Sequence, residues 1–571
     1  MAKELYLEMR AHRVRHNFWR RQLRILAPPP VPTWRRFLAQ NTDDFCRNST
    51  IHGLKYLNNR QLRVSDRVFF GLALIAVVCI ALFLIVDAFE KWNTTPVIVG
   101  INPDPTYITN EPFPAVTICN LNQALYTKAM QFANDTAEYA MLQLLCHRSA
   151  DQQLTDAITN WERLEQFIFN ISQPCEAMVI GCRFGAEDYN CARMFLPIVT
   201  DEGLCCVFNM LHPRFMYKHN IPLTLRNVSN ALGDFRAVNW YAEQGYAGHT
   251  QGRFYPRTAQ GTGESLGLSL TLDVQADDYY CSSSNSIGFK ISLHSPNESP
   301  NVRETGVLLA PGLETKLRIE PAKIVTEQQL RSLDRKYRRC LFHSEGKLRY
   351  FAHYTQRNCE MECLSRLLLQ HCGCISFYMP RVRGNDPICS IRKSPCVESV
   401  RLHTVAAVES CLDDCLPSCF DLTYNMMTSY AKISTVEHNL SEAYVERSVA
   451  VVNMYYKEHT FRAHKQTEFI GISDFLSSVG GLMGLFLGFS FLSIAECIYF
   501  AFIRPCRSCA ESRRLKAVSI KQRPRHNAII EVVASLTRQS QQQQQDEHLF
   551  RILPAKWLEA ELNQQRYPPR V

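Results

Sequence analysis

The chain has 571 residues, 46% of them hydrophobic and 20% charged, with a formal net charge of +9 and 23 cysteines. Length admits one large domain or several small ones, but the charge is uneven. Residues 1–67 hold 14 Lys+Arg against 5 Asp+Glu, residues 504–571 hold 13 against 6, and the stretch between them carries −7. Basic tails can bind nucleic acid, but two apolar runs of membrane-spanning length set that reading aside.

Residues 1–67 are polar and interrupted by "PPPVP", so they lack the short apolar core of a cleaved leader. The run Val68 to Val86 follows, uncharged over 19 residues between Arg67 and Asp87, which matches the roughly 20 residues needed to cross a bilayer as helix. A membrane helix is expected over 68–89. A second apolar run, Phe469 to Ile503, carries only Asp474 and Glu496 as charges and predicts a second span over 469–503. The excess of Lys and Arg outside both runs puts the two tails, 1–67 and 504–571, in the cytosol of a two-span plasma-membrane protein. Residues 90–468 are then exported.

Cysteine usage agrees with that topology. Cys119, Cys146, Cys175, Cys182, Cys191, Cys205, Cys206, Cys281, Cys340, Cys359, Cys363, Cys372, Cys374, Cys389, Cys396, Cys411, Cys415 and Cys419 all fall between the two runs. An even set in an oxidising compartment reads as disulfides, with the connectivity left open. Adjacent Cys205 and Cys206 need different partners, because a bond between neighbours is strained. The four-residue recurrence of Cys359 and Cys363, and of Cys411, Cys415 and Cys419, would place each set along one helical stripe. Sequons at Asn93, Asn134, Asn170, Asn227, Asn297 and Asn439 lie in the same segment and are candidate glycan sites.

Within that segment "PFPAVTICN" (112–120), "GLSLTLDV" (267–274), "IGFKISLH" (287–294) and "VAVVNMYY" (449–456) alternate or are β-branched and predict strands. Residues 137–169 and 358–372 have apolar residues at helical spacing and predict helices. The expectation is a mixed α and β exterior domain. The tail tract "RQSQQQQQDEH" is too polar to bury a core, so part of 504–571 is expected to be disordered.

An enzyme is not expected. "GESLG", Gly263 to Gly267, matches the nucleophile-elbow pattern at Ser265, but that motif needs a strand before the serine and a helix after it. Here a loop precedes and an alternating strand follows. No metal-ligand pair and no phosphate-cradling glycine loop stands out, so neither a metal nor a cofactor is expected.

The second apolar run holds more than an anchor needs. On one continuous helix, with Gly481 at zero, Asp474, Ser477, Gly484 and Gly488 fall at about 20°, 320°, 300° and 340°, one narrow face. Glycines alone would suit a seam between touching helices. An ionisable Asp474 on the same face favours water or a partner instead. Asp474 and Glu496 would then sit about 33 Å apart, near opposite edges of the hydrocarbon. Ser490 falls opposite Gly488 on that helix, yet both would address one axis if "GFS" were extended, presenting carbonyls that can replace a cation's hydration water. Enclosing a pore requires several copies.

"STIHGLKYL" (49–57), "FPAVTICN" (113–120), the cysteine-rich middle and "GGLMGLFLGFSFLSIAE" (480–496) together resemble the degenerin and epithelial sodium channel family. The "GFS" tract and the cysteine number look most like its insect pickpocket branch. The resemblance spans about 45–505. It implies a homo- or heterotrimeric, amiloride-sensitive channel passing Na+ through the lipid bilayer, with a hand-like exterior of palm, finger, thumb, knuckle and β-ball. By position, Gly488, Phe489 and Ser490 correspond to its selectivity filter. Asp474, Ser477, Gly481, Gly484 and Glu496 line the pore or gate, with Ser477 at the degenerin position. His52 and Gly53 match its cytosolic gating motif. Phe489 departs from the small residue found mid-filter in other members.

The stimulus would be an extracellular ligand, acid or force. Acid could act through Asp277 with Asp278 or Asp413 with Asp414, whose mutual repulsion would raise one pKa in each pair. The rival reading is a two-span receptor or adhesion protein that does not conduct.

Overall fold

A computed structural model describes residues 34–514, apart from residues 60, 95, 134–135, 147–160, 189, 219–234, 249–251, 382–385, 403–414, 435–440 and 512. Expectations for Asn134, Asn227, Asn439, Cys411, Asp413, Asp414 and the tail beyond 514 lie outside the described residues. Two compact units divide the chain: Lys91–Gly471, and Met1–Glu90 together with Ile472–Val571. The principal helices are α1 (Trp34–Asn48), α2 (Val64–Thr94), α3 (Ala137–Leu145), α4 (Trp161–Ile171), α5 (Gln356–Cys372), α6 (Ile472–Leu487) and α7 (Phe491–Ile498).

The cysteine-rich unit, 91–471, is built on two main sheets, with three two-stranded ones beside them among the described residues. Its main strands are β1 (Val97–Tyr107), β2 (Ala115–Asn120), β3 (Val179–Phe184), β4 (Phe195–Thr200), β5 (Gly203–Phe208), β6 (Leu268–Asp273), β7 (Phe289–His294), β8 (Val307–Leu309), β9 (Leu313–Thr326), β10 (Asp421–Lys432), β11 (Val449–Tyr456) and β12 (Thr460–Glu468). The larger sheet has eight strands in the order β1-β12-β9-β11-β6-β3, then the short Glu187–Asp188, with β10 also on β9. The smaller has five, β8-β7-β2-β5-β4. All four segments whose alternation predicts strands are strands.

Alternation positions the core. Along β6 the side chains of Leu268, Leu270 and Leu272 are buried while those between them are partly exposed, the period-two pattern of a sheet with one covered face. Phe113, Phe184, Phe208 and Tyr456 form a buried aromatic cluster with centroids 5.2–6.2 Å apart. Each such ring contributes about 1.5–3 kcal/mol by leaving water. β9 is the long central strand: β11 pairs with Glu314–Ile319 and β12 with Ile324–Thr326, so Pro321, which has no N–H to give, falls in the interval where the neighbour changes. β1 and β12 pair antiparallel from Val97 with Glu468, and Phe469 N–H donates to Pro96 O at 2.9 Å, which ties together the two points where the chain enters and leaves this unit.

Eight disulfides are defined here. Cys119 and Cys205 are direct cross-strand partners of β2 and β5, 4.3 Å apart at Cα, and their bond spans that pair. Cys206 points to the opposite face and bonds Cys175, so the adjacent cysteines do take different partners. The others are Cys146–Cys281, Cys182–Cys191, Cys340–Cys419, Cys359–Cys415, Cys372–Cys396 and Cys374–Cys389. Cys363 is disulfide-bonded as well.

One local expectation fails: Cys415 and Cys419 are not on a helix. Pro417 stands between them, and a proline there removes a helical donor and clashes with the preceding turn. Among the described residues the cysteine stripe exists only on α5, which Thr355 caps by accepting from Asn358 N–H and which Gly373 ends at φ 70°. Helix α3 and helix α4 occupy the two described ends of the segment predicted helical. Ser265 lies in a 3-10 turn, Glu264–Leu266, ahead of β6, which is no nucleophile elbow. Asn93 and Asn170 are exposed. Asn297 is only 4% exposed, and its Oδ1 accepts from Ser295.

The helical unit holds α1, most of α2, α6 and α7. α2 has 31 residues, is apolar and is long enough to cross a membrane. The second apolar run is not one helix: α6 and the helical stretch 491–511 are bent by 75° at a short break. The straight 33 Å separation of Asp474 and Glu496 therefore does not hold.

Candidate functional site

The break lies at Gly488, Phe489 and Ser490. Gly488 has φ +63°, a left-handed conformation that favours glycine, and ends α6 with its N–H on Gly484 O at 2.9 Å. Ser490 is extended, φ −123° and ψ 174°, and opens α7 with a capping box: its side chain accepts from Ser493 N–H while its own N–H donates to Ser493 Oγ at 3.1 Å. The C-terminus of α6, the partially negative end of its dipole, thus faces three residues of non-helical backbone, an arrangement that favours a cation.

The segment Ser49–Gly53 closes this corner. His52 N–H donates to Leu487 O at 2.9 Å, and a Cβ added to Gly488 would fall on the His52 ring. Thr50 N–H donates to Glu496 Oε2 at 2.9 Å, and Thr50 Oγ1 lies 2.7 Å from Ser493 Oγ. Gly53, at φ +89°, turns the chain into the next short helix. The structure therefore brings His52 and Gly53 to the break and holds the Glu496 carboxylate against Thr50.

On α6, Asp474 lies in the first turn, and Asp474, Ser477 and Gly481 are exposed. A Cβ at Gly480 or Gly481 would meet nothing within 4 Å, and one at Gly484 only Phe489 O at 3.8 Å. Phe475, about 100° round the helix from Asp474, takes the contact with Phe89 of α2, their ring centroids 6.2 Å apart. Among the described residues nothing covers the small face at Gly480 and Gly481.

The second helix beyond the break is held by α1. Tyr499–Ile503 is a π turn, which leaves its carbonyls out of the regular ladder. Asn41 Nδ2 donates to Phe500 O at 2.9 Å, Phe45 packs edge-on against Phe500 at 5.5 Å, and Arg504 pairs with Asp44.

The Amiloride-sensitive sodium channel family matches residues 45–500. The chain belongs to this family. Pickpocket protein 28 of Drosophila melanogaster is 35% identical over 86% of this chain and 82% of its own length. Sodium channel protein Nach of the same organism is 23% identical over 81% and 87%, and human Acid-sensing ion channel 2 is 23% identical over 79% and 84%. Members of this family are ion channels of the plasma membrane, not enzymes. A solved proton-activated chloride channel aligns with a TM-score of 0.24 and 8% identity, too slight a likeness to bear on the fold.

In this family member the proposed acid groups have other partners. Asp277 pairs with Arg447 at 2.9 Å, and Asp278 accepts from Thr127 N–H at 2.7 Å and from its hydroxyl at 2.9 Å. The perturbed groups of the cysteine-rich unit lie elsewhere. Glu298 is pushed up to about 7 by burial and by Asp421 nearby, against the pull of Arg357, and burial raises Asp421 too. His343 Nε2 and His353 Nδ1 are 2.9 Å apart, His353 Nε2 meets Asn239 Oδ1 at 2.8 Å, and Tyr241 stacks on both rings. Burial, with His343 and Lys218 alongside, lowers His353 to about 4.

Thr50, Ser493, Asn41 and Asp44 are contributors that sequence reasoning missed. Ser490 and Ser493 carried a signal, the spacing of a capping box. Thr50 and Glu496 are 446 residues apart, and a single sequence holds no mark of their meeting.

Proposed function

We propose that this chain is a subunit of a trimeric, sodium-preferring, amiloride-sensitive cation channel. The observation that carries the reading is the non-helical tract Gly488–Ser490, inside an apolar run and backed by His52. Non-helical backbone at membrane depth is tolerated only against protein or water. Three such tracts around an axis would supply the carbonyls and hydroxyls of a filter, with Phe489 turned away. The open face of Asp474, Ser477, Gly481 and Gly484 would line the axis on the outer side. α2 is the first span, and α6 with 491–511 forms a bent second one. Both tails lie in the cytosol, and 91–471 is a hand-like exterior.

Gating would couple that exterior to the pore, biasing it between two states. The stimulus is an extracellular ligand, acid or force; the neighbouring, half-buried Glu298 and Asp421 carboxyls, both raised, give acid a point of action. The test is whole-cell current from cells expressing Ser477→Phe, with external sodium exchanged for potassium and then amiloride added. A standing, amiloride-blocked current whose reversal potential falls on sodium removal is expected. Surface protein without current, alone and with related subunits, returns the chain to the receptor reading.

A further inference from the structure

We propose that Cys506 and Cys509 are sites of S-acylation, anchoring the helix beyond the second span in the inner leaflet. The inference rests on the reading that this end of the chain faces the cytosol, where long-chain acyl-coenzyme A is available.

Two faces of the 491–511 helix carry the argument. One is taken: Phe500 packs on Phe45 and Arg504 pairs with Asp44, both from α1. Residues two apart on a helix differ by about 200°, so Phe502 and Cys506 lie opposite Phe500 and Arg504. On that opposite side Ile498, Phe502, Cys506 and Cys509 follow at spacings of four, four and three. Ile498 and Phe502 are 47% and 68% exposed, and both cysteines are exposed, unbonded thiols. An apolar stripe that would face lipid therefore runs directly into two thiols.

Depth fits as well. The apolar run ends at Ile503, and Cys506 and Cys509 lie about 4.5 and 9 Å beyond it along the axis, among Arg504, Arg507, Arg513 and Arg514. Arginines at that level sit with anionic headgroups, which places the thiols at the interface where a membrane acyltransferase works. Juxtamembrane cysteines of this kind are acylation sites. The chemistry balances without a redox step: the cysteine sulfur attacks the thioester carbonyl of acyl-coenzyme A, a new C–S bond forms as the old one breaks, and the thiol proton leaves with coenzyme A. Cys46 and Cys497 are only partly exposed, and Cys79 lies inside the first apolar run.

Cells expressing the full chain are fed an alkynyl palmitate, and the immunoprecipitated protein is coupled to a dye, with and without hydroxylamine. Hydroxylamine-sensitive label is expected on the natural chain, reduced in Cys506→Ser and in Cys509→Ser, at background in the double variant and unchanged in Cys79→Ser. An unlabelled natural chain, or label retained by the double variant, overturns the proposal; the first outcome does not depend on any variant folding. A membrane-impermeant maleimide separates the two readings. If it reaches Cys506 and Cys509 in intact cells, the cytosolic assignment itself fails. If it reaches them only after permeabilisation while the natural chain takes no acyl chain, the acylation inference fails alone.

Discussion

The His52 ring occupies the space that a side chain on Gly488 would need, while the His52 amide donates to the carbonyl just before that glycine. The left-handed φ of Gly488 and the imidazole against it exclude a Cβ for two separate reasons. Gly488→Ala therefore pays about 1–3 kcal/mol in backbone strain besides displacing His52. In the Ser477→Phe background, Gly488→Ala is expected to reach the surface and lose its current. Adding His52→Ala relieves the clash but not the strain, so part of the current returns. Undiminished current in Gly488→Ala alone would show that the corner rearranges freely.

Thr50 and Glu496 form the second tie between the N-terminal segment and the helix after the break. Thr50→Val keeps the N–H that donates to Glu496 and removes only the hydroxyl, which lies 3.2 Å from Glu496 Oε2, while Glu496→Gln takes the charge from that same contact, so the two losses should not add. For Thr50→Val and Glu496→Gln, a coupling of about 0.5–3 kcal/mol is expected, read as the shift in thermal unfolding of the purified chain in detergent. Additive effects would mean that the contact does not survive in the native membrane protein.

How much of this was legible follows from which interactions are local. Leu268–Asp273 announces itself because one face is apolar, and Val449–Tyr456 because it is a β-branched apolar run buried along most of its length. The central β9, "LETKLRIEPAKIVT", does not: Leu317 and Ile319 point inward, but charged residues and Pro321 obscure the pattern, and its place is fixed by β10, β11 and β12. The small face and "GFS" were visible as residue types at helical spacing. The bend, the seat for His52 and the capture of Glu496 depend on segments more than 400 residues apart. Disulfide parity was readable; pairing was not, since Cys359 meets Cys415 only once α5 has docked.

That bond closes a loop with a sequence separation of 56 and fastens α5 to the irregular Cys415 segment. The chain-entropy model assigns such a closure about 4 kcal/mol. The double variant Cys359→Ser with Cys415→Ser is expected to lower the unfolding temperature of the purified chain and to reach the surface poorly at 37 °C, the usual fate of a secreted domain that loses a disulfide. A normal surface level and an unchanged melt would assign the bond a negligible share of the stability.

Half-buried Glu298 and buried His353 predict opposite pH dependences. Glu298 titrates near 7 in the fold and near 4.5 when unfolded, so between those values the folded chain holds the extra proton. Its contribution is complete below 4.5 and is lost as pH rises through 7. His353 behaves inversely. The Asn239 oxygen can only accept, so His353 carries its proton on Nε2 and accepts from His343 through Nδ1. A second proton would face the His343 Nε2–H unless His343 moved its own proton to Nδ1. With a folded value of about 4 against 6.5 unfolded, stability falls as pH drops through that window. His294, also lowered to about 4 by burial, adds to the acid-side loss. The unfolding temperature of the purified chain should therefore pass through a maximum at mildly acidic to neutral pH. Glu298→Gln removes most of the decline on the alkaline side and leaves the acid side intact, whereas His353→Asn shallows the acid side only in part because His294 remains. If Glu298→Gln instead flattens the acid side, the carboxyl is ionised in the folded protein and the Glu298–Asp421 pair cannot be the point at which acid acts.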